Sequence, residues 1–351
     1  MVTLALTPGC PAGIGPELFP LAIAAAALPV GARFMWCGSA GHLMRCAGMR
    51  EVKAERNGHL VLIHGRFGPQ MVYCTKEDSD DPALLVTPGA PPDGNALVAQ
   101  KQALLEAIKL AQSGKLTGIV TGPIRKAALK DVEGKSFAGQ TELLHHYLKS
   151  DDDPPLMCFY GPTFALGLAT IHVPIKRVSE EITADKIYKL TMRLRDAASD
   201  LCETPSGDIR IVVLGLNPHA GEGGLIGTEE QDIIIPAIQR LQSEGLHVEG
   251  PVPADGFFGN LHRVHKDKWP HAVLAMMHDQ GLAPYKLVAG GRVANITFGL
   301  TVPRTSPAHG TADDIVGTGT ADADSLTEAI CLASLLGLHK ESARLHKLFH
   351  P

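Results

Sequence analysis

Three histidines each close an apolar run. They are His172 in Ala169-Thr170-Ile171-His172-Val173-Pro174, His219 in Leu216-Asn217-Pro218-His219-Ala220-Gly221-Glu222, and His278 in Met276-Met277-His278-Asp279-Gln280-Gly281. A catalytic divalent metal needs about three protein donors and one open position, and three imidazoles supply that set if the fold gathers them. Singly, each has the surroundings of an ordinary core histidine, and the chain holds 16 in all. Cationic and polar groups follow in the same stretch: Lys286, Asn295 and Arg304. Arginine grips phosphate or carboxylate as a rigid fork and lysine as a mobile point charge, so a metal beside them suits a small anionic substrate. Solvated surface charge is the plainer reading of each alone. Arg304, set between an apolar run and a Thr-Ser turn, fits that plain reading least well.

Two glycine-bearing stretches add a different chemistry. The stretch from His309 through Gly310, Thr311, Asp313, Asp314 and Gly317 to Ala321 can wrap a nucleotide, with an acidic side chain accepting ribose hydroxyls. It also reads as a turn-rich loop. Gly13-Ile14-Gly15 before a helix can present free amides to an anion or form a bare tight turn; with Leu18 at the third glycine position it is not the dinucleotide fingerprint. Neither a P-loop motif nor a Gly-x-Ser-x-Gly elbow occurs.

These residues need elements to hold them. Strand-like runs are expected at Val2 to Leu6, Ala32 to Cys37, Gly118 to Thr121, Leu156 to Tyr160, Phe164 to Ile171, Ile209 to Leu216 and Ala272 to Met277. Helices are expected after Pro16, from Asn95 to Ser113 with Gly114 as cap, and over Glu180 to Leu201, Glu229 to Glu244 and Ser325 to Leu336. Ser325-x-x-Glu328 has the form of a capping box. Strands alternating with helices argue for an α/β fold with parallel strands, and ligands in such sheets bind beyond the strands' carboxyl ends.

Composition narrows the class. The 351 residues are 45% hydrophobic and 20% charged, enough for a large core and without a disorder signature. A net charge of -5 and 5% aromatic residues argue against nucleic acid or an anionic membrane as partner. Seven widely spaced cysteines, an odd number with no Cys-x-x-Cys, argue against a disulfide framework or zinc knuckle. With no secretory pattern at the N-terminus and no spanning segment, a reducing cytoplasm is the simple expectation.

Six ordered blocks carry a resemblance. They are Thr7-Pro8-Gly9-x-Pro11-Ala12-Gly13-Ile14-Gly15-Pro16-Glu17, Thr121-Gly122-Pro123-Ile124-x-Lys126, Leu216-Asn217-Pro218-His219-Ala220-Gly221-Glu222-Gly223-Gly224, Pro253-Ala254-Asp255, His278-Asp279-Gln280-Gly281 and His309-Gly310-Thr311-Ala312. Over Thr7 to about Ile330 the chain resembles the 4-hydroxythreonine-4-phosphate dehydrogenase family, NAD-dependent enzymes of pyridoxal phosphate biosynthesis.

The resemblance implies a two-lobed α/β/α fold like that of isocitrate and isopropylmalate dehydrogenases, with the active site in the interlobe cleft. Residues 1–122 and 303–351 would form the cofactor-side lobe, and 123–302 the metal, substrate and dimerisation lobe. It implies a homodimer whose subunits share a divalent metal (Zn, Co, Mg, Mn or Ni) on His172, His219 and His278. It assigns substrate to Gln140, Thr141, Lys286, Asn295 and Arg304, catalysis to Asp255 and Lys286, and NAD (or NADP) to His309, Gly310, Thr311, Asp314 and Gly317.

The implied reaction oxidises a secondary alcohol to a β-keto acid, which decarboxylates. This chain departs from the family pattern at Gln140, where Gly-His-Thr-Glu is usual, and at Cys10 and Ala308, where acidic residues are common. Gln140 can donate to a phosphate but carries no charge. Two alternatives stay open. One is a paralogous dehydrogenase for phosphorylated threonate or erythronate or for a cis-dihydrodiol carboxylate; the other is a phosphate acyltransferase of related fold.

Overall fold

The structure, a computed structural model, describes residues 1–130, 132 and 134–349, with side chains to residue 342. The elements begin with β1 (Thr3–Thr7), α1 (Gly15–Ala25), β2 (Arg33–Ser39) and α2 (Ala40–Met49). Next come β3 (Ala54–Asn57), β4 (Leu60–Gly65), β5 (Gly68–Lys76), α3 (Gly94–Gln112), β6 (Gly118–Thr121) and α4 (Gln140–Leu148). The middle of the chain holds β7 (Leu156–Tyr160), β8 (Ala165–Leu168), α5 (Val178–Glu181), α6 (Ala184–Cys202), β9 (Arg210–Leu214) and α7 (Ile235–Ser243). It continues through β10 (His247–Val252), α8 (Ala254–Asn260), β11 (Ala272–Ala275) and α9 (His278–Ala289). Last are β12 (Ala294–Phe298), β13 (Arg304–Pro307) and α10 (Asp324–Phe349).

Two compact units result: Met1–Ser150 with Ala294–Ile296 and Leu300–Pro351, and Asp151–Val293 with Thr297–Gly299. In the first, strand order is β13-β6-β1-β2-β5-β4-β3, parallel from β13 through β5 and antiparallel beyond. Leu4, Ala5 and Leu6 of β1 and all of β6 are buried, as strands of a sheet covered on both faces must be. Leu104 and Ile108 of α3 and Leu143 and Leu144 of α4 share a core cluster with Ala5 and Ile119. The Asp93 side chain caps α3 by accepting from the Ala96 amide at 2.8 Å, and Gly114 takes a φ of +71° just past its end. In the second unit the order is β10-β9-β11-β8-β7, with only the β7–β8 pairing antiparallel.

The expected α/β architecture with parallel strands is present, with local departures. The helix expected over Glu180 to Leu201 is two helices, because the Thr183 hydroxyl caps a new start by accepting from the Lys186 amide. The segment expected as helix from Glu229 opens as a π-helical turn before α7. Ser325 lies in the first turn of α10, and its hydroxyl accepts from the Ala308 amide at 2.9 Å. The β3–β4–β5 meander has no counterpart in the sequence expectations. Its first turn is Gly58-His59, with glycine at φ +59° in the first position, and it sits in a polar, exposed stretch.

Candidate active site

In the second unit the strand ends assemble the polar residues. β8 and β11 pair in parallel up to Leu168 and Ala275. The pairing runs on past both strands: the Thr170 amide and hydroxyl both donate to the Met276 carbonyl, at 3.2 and 2.6 Å. Two residues further along each chain, His172 and His278 therefore stand side by side, ring centroids 6.2 Å apart. With zinc–nitrogen bonds near 2.0–2.1 Å, two imidazoles on one ion have centroids roughly 5–6 Å apart, so this pair stands close to, and slightly wider than, the spacing a shared cation would set.

His219 follows β9 on a turn of unusual conformation. Residues 219–224 all have positive φ, including the non-glycine His219 (+54°), Ala220 (+52°) and Glu222 (+45°). Such backbone costs about 1–2 kcal/mol per non-glycine residue and persists only where neighbours hold it. Glu230 is that neighbour: buried, it accepts on Oε1 from the Leu216 and Asn217 amides, both at 2.7 Å, and on Oε2 from Asn217 Nδ2 at 2.9 Å. Gly221 is required here, because an added Cβ would lie 2.6 Å from Glu230 Oε2. Gln280 ties the two arms together: its Nε2 donates to the Gly215 carbonyl at 2.6 Å, and its Oε1 accepts from the Met276 amide at 2.8 Å.

Among the described residues no three His, Cys, Asp or Glu side chains gather closely enough to hold a metal. The structure thus brings His172 and His278 together, and His219 does not complete a triad with them within one chain. Asp255 is exposed in the first turn of α8, a helix that packs on α9 and on the 218–224 turn. Lys286 lies on α9, where desolvation lowers its pKa.

The first unit carries an anion-type site of its own. Arg304, 3% exposed at the start of β13, lies in register with β6 and donates from Nε and Nη2 to the Thr121 hydroxyl at 3.0 and 2.7 Å. Burial pushes its guanidinium down to about 10, opposed by the nearby Glu142 carboxylate, so it stays charged at neutral pH. Beside it Gln140 opens α4 and donates to the Gly122 carbonyl at 3.2 Å, while Thr141 is buried in the same first turn. A buried guanidinium next to a helix N-terminus suits a phosphate or carboxylate. Asn295 is also in this unit, its Oδ1 buried without a hydrogen-bond partner among the described residues.

The 309–321 loop packs on the start of α1. The Ile14 amide donates to the Thr311 carbonyl at 3.0 Å, and a Cβ on Gly13 would meet Thr311 at 3.0 Å. Buried Glu17 accepts from the Gly317 amide at 3.0 Å and pairs with Arg50, whose Nη2 donates to the Ala321 carbonyl at 2.7 Å. Arg125 forms an ion pair with Asp313. Asp314 is exposed, Gly310 faces open space, and His309 Nε2 is buried without a described partner, features that fit a nucleotide resting on this loop. Thr121, Glu17, Glu230 and Gln280 received no role from the sequence, although all but Glu230 lie inside the six ordered blocks. Only Glu230's burial marks it.

Known proteins supply the context. A 4-hydroxythreonine-4-phosphate dehydrogenase from Paracoccus denitrificans is 38% identical over 97% of this chain and 97% of its own length. The crystal structure of the enzyme of that name from Klebsiella pneumoniae matches with TM-score 0.73 and 30% identity, covering 96% of this chain and 98% of that one. A terephthalate 1,2-cis-dihydrodiol dehydrogenase from Burkholderia xenovorans matches with TM-score 0.60 and 26% identity, covering 95% and 98%. Residues 49–333 match the sequence profile of the pyridoxal phosphate biosynthetic protein PdxA, and the chain belongs to that family.

Proposed function

We propose that this chain is a 4-hydroxythreonine-4-phosphate dehydrogenase, oxidising the secondary alcohol of 4-phosphohydroxy-L-threonine to a β-keto acid that decarboxylates to 3-amino-2-oxopropyl phosphate. Family membership supports the reaction, and the observation that carries the substrate class is buried Arg304 beside the α4 N-terminus. There Arg304, Gln140 and Thr141 bind the phosphate, with Asn295 contributing its amide. The 309–321 loop, through His309, Gly310, Thr311, Asp314 and Gly317, holds NAD, with NADP the other nicotinamide cofactor it could serve. His172, His219 and His278 hold a divalent metal across a homodimer, with His172 and His278 side by side in one chain.

A divalent cation supplies Lewis-acid polarisation and the nicotinamide supplies the hydride acceptor. The chain's part is to bind and orient. Lys286, its pKa lowered, is suited to take the substrate carboxylate or pass a proton to the carbon left after decarboxylation. Asp255, projecting from a helix that touches both metal-bearing arms, orients the substrate or relays a proton. No transmembrane helix complicates the picture: among the described residues none is long and apolar enough to cross a membrane.

Gln140, together with the likeness to the dihydrodiol dehydrogenase, favours one second reading, a related dehydrogenase whose substrate carries a carboxylate in place of the phosphate. Ranking kcat/KM for 4-phosphohydroxy-L-threonine, its dephosphorylated analogue, phosphorylated threonate and a cis-dihydrodiol carboxylate separates the two. The first compound is expected to lead by at least about 100-fold over the analogue lacking phosphate, the scale of lost charged hydrogen bonds. A lead for any other compound overturns this assignment.

A further inference from the structure

We propose that Glu222 and Asp279 are positioning residues that set the tautomer of two metal-ligand imidazoles, a role that rests on the metal reading above. His278 Nδ1 lies 2.7 Å from Asp279 Oδ1, and His219 Nδ1 lies 3.1 Å from Glu222 Oε2. A carboxylate accepts hydrogen bonds and donates none, so each of these contacts selects the imidazole with hydrogen on Nδ1. The lone pair is then on Nε2, which makes that atom the one able to bind a cation. A free histidine side chain in water favours the opposite tautomer, so the carboxylates work against the default.

The same arrangement is reached by two differently built segments. At His278 the partner is the next residue, in the first turn of α9, where a carboxylate also suits the helix N-terminus. At His219 the partner is three residues on, and it comes within reach because the backbone coils left-handed from 219 to 224. That coil costs energy, and buried Glu230 together with Gly221 maintains it. The strained turn thus has a product: a carboxylate delivered to the Nδ1 side of His219. Outer-sphere carboxylates of this kind orient ligand histidines and raise their basicity.

The test uses the full chain with 15N-labelled histidine, at a pH well above the ordinary imidazole value of about 6.5. Long-range proton–nitrogen correlation spectra of the metal-free protein read the tautomers, and competition with a chromogenic chelator reads zinc affinity. Wild type is expected to show His219 and His278 with hydrogen on Nδ1. Asp279→Ala and Glu222→Ala are expected to lose that bias and to weaken zinc binding about 10- to 100-fold each. Asp279→Asn and Glu222→Gln, which keep a neutral acceptor, should fall between. Both carboxylates are exposed, so thermal midpoints should stay at the wild-type value, separating positioning from folding. Unchanged tautomers and zinc affinity in the alanine variants overturn the proposal. A wild-type chain that takes up no divalent metal overturns the metal reading instead, and the tautomer spectra then decide the positioning claim alone.

Discussion

Arg304 is a charge almost without solvent, and that shapes what its replacement does. The guanidinium places two donors on the Thr121 hydroxyl, which fixes the plane of its fork. Arg304→Lys keeps the charge and loses the fork, so kcat/KM for the phosphorylated substrate should fall about 10- to 100-fold, with most of the loss in KM. A fall confined to kcat would place Arg304 outside substrate binding. Gln140→His restores a titratable donor at the start of α4. Relative to wild type, whose profile carries only the phosphate's own titration at about 6, substrate affinity in that variant should rise as pH drops through about 6.5, where imidazole charges. Equal pH profiles for the two would remove residue 140 from the phosphate contact. At this scale the sequence was most informative: His172, His278 and Arg304 stand out because a polar group beside an apolar run needs an explanation. Glu230 does not, because two of its three donors are backbone amides that no side-chain pattern reveals.

At the scale of elements, the loop said to hold the nucleotide stands on Glu17. This carboxylate is buried in α1, and it is joined to Gly317 on one side and Arg50 on the other. Glu17→Gln keeps the size but weakens both contacts. The expected result is a KM for NAD raised about 10-fold, from the loss of a charge-assisted bond worth about 1.5–3 kcal/mol, with little change in KM for the phosphorylated substrate. Matching shifts in both KM values would mean the loop serves the whole site and not the cofactor. Elements were legible where burial sets the pattern: β6 and β7 have the expected bounds because each is apolar along its length. They were illegible where local chemistry overrides periodicity. The Thr183 cap that splits one expected helix depends on one contact, and the left-handed turn after Pro218 is held by one buried carboxylate, Glu230. β3 is polar and exposed, so it lacks the apolar run that marks the others, whereas β4 carries one in Leu60-Val61-Leu62-Ile63, with Val61 and Ile63 buried.

At the scale of the whole molecule, stability should depend on pH through His42. Its ring is buried against Trp36, and desolvation lowers its pKa from the ordinary 6.5 to about 4, opposed in part by the Asp81 carboxylate. The unfolded chain therefore binds a proton that the folded one refuses between those values, so stability is full above about 6.5 and is lost as pH falls toward 4. Thermal midpoints measured across this window should decline in wild type and decline less in His42→Gln. An identical slope in both would assign the acid sensitivity to other groups.

The central claim joins this chemistry into one reaction, and one assay tests it most directly. NADH formation from 4-phosphohydroxy-L-threonine and NAD+ is followed with purified, folded enzyme, once with added divalent metal and once with excess chelator. The account predicts turnover with metal and its loss in chelator, restored when metal is returned. No NADH from the metal-loaded enzyme, or turnover indifferent to the chelator, would contradict it.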